Sequence, residues 1–390
     1  MKIAFLTCGM LPIPAVQGGA VENKIDFCLE YNNNTKLHNI TVYSPWNQQA
    51  VKHPATLSDV NHYIFIDVTS LKAKIARKIY GFIHSNEYYN YYIEYYFEKV
   101  YTHLKHQNFD CIYLDNCPGF VLKLAQRGHK NIILRLGNDL LNSKSKCNEQ
   151  IFNNLRKILT CSNYIKERVA TIRHDNKIQT LYNGIDTKMF SLNKMVINRK
   201  EIGLSDNDFV IVYSGRVNKD KGVSELIDAM LKLKDIPNIK LMIIGSTFFA
   251  NATNEDEFIK SLKERAKTIK ERIIFTGYVR YDLMPSYLHL ADIASLPSMW
   301  EEPFGLTIVE AMAAGLPLIT TRSGGIPEIC EGVATIVEKE NIVNNLVSAI
   351  LNLYQNPDKR RIMAEKAINR AKLFDKKTFT KSFFAALDSI

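Results

Sequence analysis

Phe209-Val210-Ile211-Val212-Tyr213-Ser214-Gly215-Arg216-Val217-Asn218-Lys219-Asp220-Lys221-Gly222 is the stretch on which the reading of this chain turns. Its apolar run carries three consecutive β-branched residues and stops at Gly215, the pattern of a strand buried on both faces. A helix is predicted from about 222 to 233, and Ile239–Ile244 is the next strand, closed by Gly245. Further strands are read at 272–275, 293–296 and 316–320. Working toward the N-terminus, the same alternation appears at 2–7, 39–43, 63–68, 111–114 and 131–136. Strands alternating with helices predict parallel sheets covered by helices on both faces. Hydrophobic periodicity lapses over 187–207, so two doubly wound units are expected, which suits 390 residues. The boundaries are read as 1–190 and 191–375, with a last helix near 377–387. Ligands of open α/β sheets bind beyond the carboxyl ends of the strands. Two such units facing one another would form a deep cleft, with the interesting residues just after the strands.

Composition is that of a globular protein, with 46% hydrophobic and 23% charged residues. The apolar opening is too short for a signal peptide and no run of 18 apolar residues follows, so a cytoplasmic location is expected. Seven scattered cysteines without a C-x-x-C pair are read as mostly buried thiols, with neither a disulfide framework nor a zinc site. The sequon Asn251-Ala252-Thr253 is then without consequence. Net charge is +10 and uneven: residues 1–190 hold 23 Lys+Arg against 15 Asp+Glu, the remainder 27 against 25. A basic first half fits an anionic partner, or simply solubilising charge. No aromatic–basic module points to nucleic acid. Over 88–104, Ile93, Phe97, Val100 and Leu104 share one helical face and predict core packing. Before it, Ile75, Ile79, Phe82 and Ile83 form a stripe beside Lys72, Lys74, Arg77 and Lys78. Such a helix can lie on a membrane or be an ordinary solvated face.

Three stretches carry chemistry. In Glu301-Glu302-Pro303-Phe304-Gly305-Leu306-Thr307-Ile308-Val309-Glu310, Pro303 and Gly305 mark a helix start. The amides of Gly305, Leu306 and Thr307 would be unpaired there and attract phosphate. Glu302 and Glu310 could accept bonds from sugar and ribose hydroxyls. The alternative is a charged loop before a buried helix. Gly215 to Gly222 brings Arg216 and Lys221 to a helix start, the cations needed to neutralise a departing diphosphate, or else two solvated side chains. Gly18-Gly19 after the first strand permits close approach of a phosphate, without the dinucleotide G-x-G-x-x-G pattern.

Taken together, Gly18-Gly19-Ala20, Leu181-Tyr182-Asn183-Gly184-Ile185-Asp186, Gly215-Arg216 to Lys221-Gly222, Phe275-Thr276-Gly277-Tyr278-Val279, the Glu302 to Glu310 Glu-x7-Glu pattern and Ser323-Gly324-Gly325-Ile326-Pro327-Glu328 resemble the family GT4 glycosyltransferases. The resemblance runs nearly the whole chain and is densest over 181–328. It implies a GT-B fold, two Rossmann-like doubly wound units facing a central cleft. It implies a metal-independent, retaining hexosyl transfer from a nucleotide-sugar donor, UDP before GDP, to a glycan or lipid-linked acceptor. A surface polysaccharide is the expected product and the inner membrane face a possible peripheral contact. Arg216 and Lys221 would hold the diphosphate, Glu302 and the amides near Phe304 and Gly305 the sugar, Glu310 the ribose, and Tyr278 and Val279 the base. Gly19 would approach the phosphate, and the final helix would cross back to the first unit.

One position departs from the family. Many members carry a His after the strand equivalent to Ile132–Leu136, where this chain has Gly137. Asn138 or Asp139 is left to do that polar work, or the sugar is held differently. Asp206-Asn207-Asp208 imitates a metal-binding D-x-D but precedes a strand and reads as turn chemistry. No metal or other cofactor is expected. A nucleotide-sugar epimerase and a non-catalytic sugar-binding protein are the competing functions.

Overall fold

The computed structural model describes residues 1–84, 88–192, 196–246 and 257–389. The sequon at 251–253 lies outside them. The chain divides into two compact units, Met1–Gly184 with Lys376–Ile390, and Ile185–Asp375.

The first unit holds β1 (Lys2–Leu6), β2 (Asn39–Pro45), β3 (Asn61–Ile66), β4 (Cys111–Asp115), β5 (Ile132–Leu136), β6 (Lys157–Thr160) and β7 (Ile178–Thr180). They form one parallel sheet in the order β3-β2-β1-β4-β5-β6-β7. The second holds β8 (Phe209–Ser214), β9 (Ile239–Ile244), β10 (Ile273–Gly277), β11 (Ile293–Leu296), β12 (Leu318–Thr321) and β13 (Ala334–Val337). Its order is β10-β9-β8-β11-β12-β13, again parallel. Central strands β4, β5, β8, β11 and β12 are buried along their length, because helices cover both faces.

β6, β7 and β13 were not expected from the sequence. They span three or four residues, too few for a period to show, and β7 and β13 are only half-buried. β3 begins two residues before the apolar run that marks it. Its first residue, Asn61, is buried yet satisfied, since its Nδ2 donates to Leu29 O (2.8 Å) and its Oδ1 accepts from Asn32 (2.7 Å). The last helix, Lys376–Asp388, fills the first unit's core. Phe383 packs edge-on against Tyr113 (5.1 Å) and Phe5 (5.9 Å). The Asp208 carboxylate caps the Ser205 amide (2.7 Å), closing a tight turn before β8.

Candidate active site

In the second sheet the strand order reverses between β8 and β11, and the loops after these two strands flank that switch point. Fully buried β8 delivers Gly215 and then Arg216 to its carboxyl end. The Tyr213 hydroxyl, itself buried, donates to Arg216 O (2.7 Å) and fixes the turn. The Arg216 side chain is exposed and makes no hydrogen bond or ion pair with a described residue. Gly215 has φ +144°, and a Cβ on Gly245 would lie 1.9 Å from Gly215 O, so the turns after β8 and β9 touch through backbone alone.

Lys221 sits at the end of the same loop. Its ammonium pairs with Glu302 and lies 5.1 Å from the Trp300 ring centre. Glu302 Oε2 also accepts from Trp300 Nε1 (2.8 Å) and Ser298 Oγ (3.4 Å). Both partners of the pair are largely enclosed, with side-chain exposures of 17% and 16%. The two loops are stitched by Met299 N to Asp220 O (2.8 Å). Gly222 has φ +70°, and a Cβ there would lie 1.9 Å from Pro297 O. The Gly324-Gly325 turn holds Glu302 from the other side. Gly325 N donates to Glu302 O (2.7 Å), and Gly324 N to the Glu301 carboxylate (2.5 Å), which also takes Lys339 Nζ (2.6 Å).

The helix Leu306–Ala313 starts beside this cluster. Gly305, at φ +96°, is its N-cap, and no side chain caps it. Thr307 Cγ2 is 4.0 Å from where a Gly215 Cβ would stand, so the helix start faces the Arg216 turn. Phe304 is buried, packing edge-on against Phe374 (5.7 Å) and anchoring the loop ahead of the helix. Glu310, one turn further in, is buried and pushed up to about 7 by desolvation, partly offset by the Tyr281 hydroxyl hydrogen-bonded to it. Tyr278 is exposed and Val279 half-buried, just after β10. The structure thus gathers Gly215, Lys221, Glu302 and the start of the 306–313 helix. Two cations and uncapped helix amides at one switch point can hold an anion such as a diphosphate.

The first unit places its expected residues at the carboxyl end of its own sheet. Gly18 (φ +76°) has open space where a Cβ would stand, whereas a Cβ on Gly19 (φ +108°) would meet Glu22 Oε2 at 2.1 Å. Asn138 is exposed. Asp139 is occupied by Arg168 Nε (2.7 Å) and Asn142 Nδ2 (2.8 Å). Gly137 N donates to Asn116 Oδ1 (2.7 Å), so the position lacking the imidazole is a pinned backbone turn.

Sequence reasoning passed over Trp300, Ser298 and Tyr281, and read Gly324-Gly325 as part of the family resemblance but not as the clamp on Glu302. Trp300 is one of only two tryptophans in the chain and stands two residues before Glu302, a signal that could have been taken. Lys24, Arg135 and Asp115 were also missed, and Asn183 was read only as part of the 181–186 stretch of the resemblance. Asn183 Oδ1 accepts from Lys24 Nζ (3.3 Å) and from buried Arg135, whose guanidinium is 3.6 Å from Asp115. Burial lowers Lys24 to about 8.

Residues 196–370 match the family described as Glycosyl transferases group 1. The putative glycosyltransferase YtcC of Bacillus subtilis is 27% identical over 384 residues, covering 94% of this chain and 86% of that one. Lipopolysaccharide 1,2-N-acetylglucosaminetransferase of Salmonella typhimurium is 28% identical over 218 residues, 54% of this chain and 56% of that one. Among solved structures, Anabaena HepE in complex with UDP-glucose superposes with TM-score 0.75 at 20% identity, covering all of both chains.

Proposed function

We propose that this chain, whose residues 196–370 match the group 1 glycosyl transferases and which has the GT-B fold, moves a hexose or N-acetylhexosamine from a UDP-linked donor to a glycan or lipid-linked acceptor in building a surface polysaccharide. The observation that carries this reading is the convergence of Lys221, Glu302, Gly215 and the uncapped 306–313 helix at the β8/β11 switch point, with Arg216, next after Gly215, exposed and unpaired among the described residues. UDP is preferred over GDP by analogy with HepE, whose structure holds UDP-glucose.

In this reading Arg216, Lys221 and the amides of Leu306 and Thr307 receive the diphosphate. Glu302, steadied by Trp300 and Ser298, receives donor-sugar hydroxyls with Gly305 and Phe304. Glu310 takes the ribose hydroxyls, and Tyr278 and Val279 lie along the base. In the first unit, Gly18, Gly19 and Asn138 keep a ligand-facing assignment. Asp139, held by Arg168 and Asn142, acts as support for its loop.

The donor C1–O bond breaks as the acceptor oxygen forms its bond to C1 on the same face, so configuration is retained. The departing diphosphate takes the acceptor proton. Catalysis is then orientation and charge stabilisation. The cations and helix amides take the part a divalent metal would otherwise play, so a chelator should leave turnover unchanged. The basic first half is assigned to peripheral contact with an anionic membrane.

The deciding experiment is donor turnover with and without a candidate acceptor, for wild type and Arg216→Ala. Transfer that needs acceptor and collapses in the variant supports the reading. Donor isomerised without acceptor would make the protein an epimerase, and donor bound but never consumed would make it a binding protein.

A further inference from the structure

The helix Leu71–Ile83 presents a pattern that the donor chemistry does not use. Leu71, Ile75, Ile79, Phe82 and Ile83 are between 54% and 89% exposed. At 3.6 residues per turn these five fall within an arc of about 120°. The opposite face is the one that packs. Ala73 is buried, Arg77 lies over the Tyr92 ring (4.3 Å), and a Cβ on Gly81 would meet Tyr91 at 2.9 Å. The apolar stripe is therefore turned away from the body of its unit, along more than three turns.

Charge lies beside it. Lys72, Lys74 and Lys78 are exposed and pair with no described carboxylate; Lys74 and Lys78 run along one edge of the stripe and Lys72 stands within it at the first turn. The helix contains no acidic residue. Exposed apolar side chains on a soluble surface are usually scattered singly, so five on one short helix call for an occupant. The stripe is the ridge of one helix with lysines beside it, which suits a lipid interface: the side chains enter the acyl boundary while the ammonium groups reach the phosphates.

We infer that Leu71–Ile83 is the membrane-docking element of this protein, lying in the interface of an anionic bilayer with Ile75, Ile79 and Phe82 inserted and Lys72, Lys74 and Lys78 on the headgroup phosphates. This deepens, and rests on, the peripheral membrane contact proposed above.

The test is flotation of the full chain with phosphatidylcholine vesicles, with and without phosphatidylglycerol. Ile79→Asp/Phe82→Asp and Lys72→Glu/Lys74→Glu/Lys78→Glu are compared with wild type, with melting and donor turnover in solution read on every preparation. Wild type should float with the anionic vesicles only, and less as salt rises. The charge reversal should lower the vesicle partition coefficient by at least roughly a hundredfold, the scale of losing three lysines near a surface before the repulsion of the new glutamates is added. The aspartate pair should abolish flotation, with melting and donor turnover unchanged in both variants. Wild type that stays in solution, or folded variants that float equally well, would overturn the inference. So would a lipid-independent dimer that Phe82→Asp converts to monomer, because a second copy would then be the occupant. Flotation that behaves as expected while donor turnover is absent even in wild type would leave the docking element standing and remove the transfer reading.

Discussion

Arg216 and Lys221 stand on one loop in different states, so their removal should have different consequences. Arg216 is exposed and unpaired among described residues. Arg216→Ala should lower donor turnover by about 10²–10³-fold, the scale of one lost transition-state donor, and leave the melting temperature where it was. Lys221→Ala should cost similar activity and also lower the melting temperature, because it leaves the enclosed Glu302 carboxylate without its cation. Glu310 gives a pH prediction. Burial holds it at about 7 against 4.5 for the free side chain, so between those values the folded protein keeps a proton that the unfolded chain releases. Its contribution to stability is fully present below the lower value and is lost as pH rises through the upper one. Glu310→Gln should therefore raise the melting temperature at pH 8 and change it little at pH 5. In the proposed donor pose the ribose hydroxyls bind the Glu310 carboxylate, so wild-type affinity for UDP should climb with pH up to about 7 and go flat in Glu310→Gln, as calorimetry would show. Trp300 and Tyr281 escaped the sequence reading because a side chain's partner across a loop is set by the folded path of the backbone.

At the scale of elements, the loops after β8, β9 and β11 hold together through places where a side chain does not fit. Gly222 and Gly245 both have positive φ, and a Cβ on either would fall 1.9 Å from a carbonyl oxygen, of Pro297 or of Gly215. Gly222→Ala should cost about 1–3 kcal/mol in urea unfolding from backbone strain alone, and the clash adds to it. It should also raise the KM for donor, because the shift moves Lys221 away from Glu302. An alanine variant with unchanged KM would show that the fit of the two loops does not set the site. The central strands could be read from their apolar runs, since burial on both faces limits polar residues to a few, such as Arg135, whose guanidinium meets Asn183 and Asp115. The edge strands β7 and β13 could not, because an edge mixes exposed and buried positions and three or four residues do not make a period.

Across the whole molecule, the last helix ties the end of the chain into the core of the first unit. Phe383→Ala removes a ring packed on Phe5, Tyr113 and Phe384, and should cost about 3–5 kcal/mol in a denaturant melt. A UDP-sugar at a hundred times its Kd should add about 2.7 kcal/mol to the stability of the fold that binds it, which a thermal-shift series against GDP-sugars would read. By itself the sequence determined the two α/β series, the strands at their centres, and the loops that carry Arg216, Lys221, Glu302 and Glu310. Continuous apolar runs and glycine-marked strand ends are local properties, written within a dozen residues. Only the tertiary structure decided the order of strands, which puts the switch point between β8 and β11. It also decided that the division falls after Gly184, that Glu302 holds Lys221, and that the 71–83 stripe faces outward. Each of these depends on segments far apart in the chain meeting in space, and such meetings leave no periodic trace in the sequence.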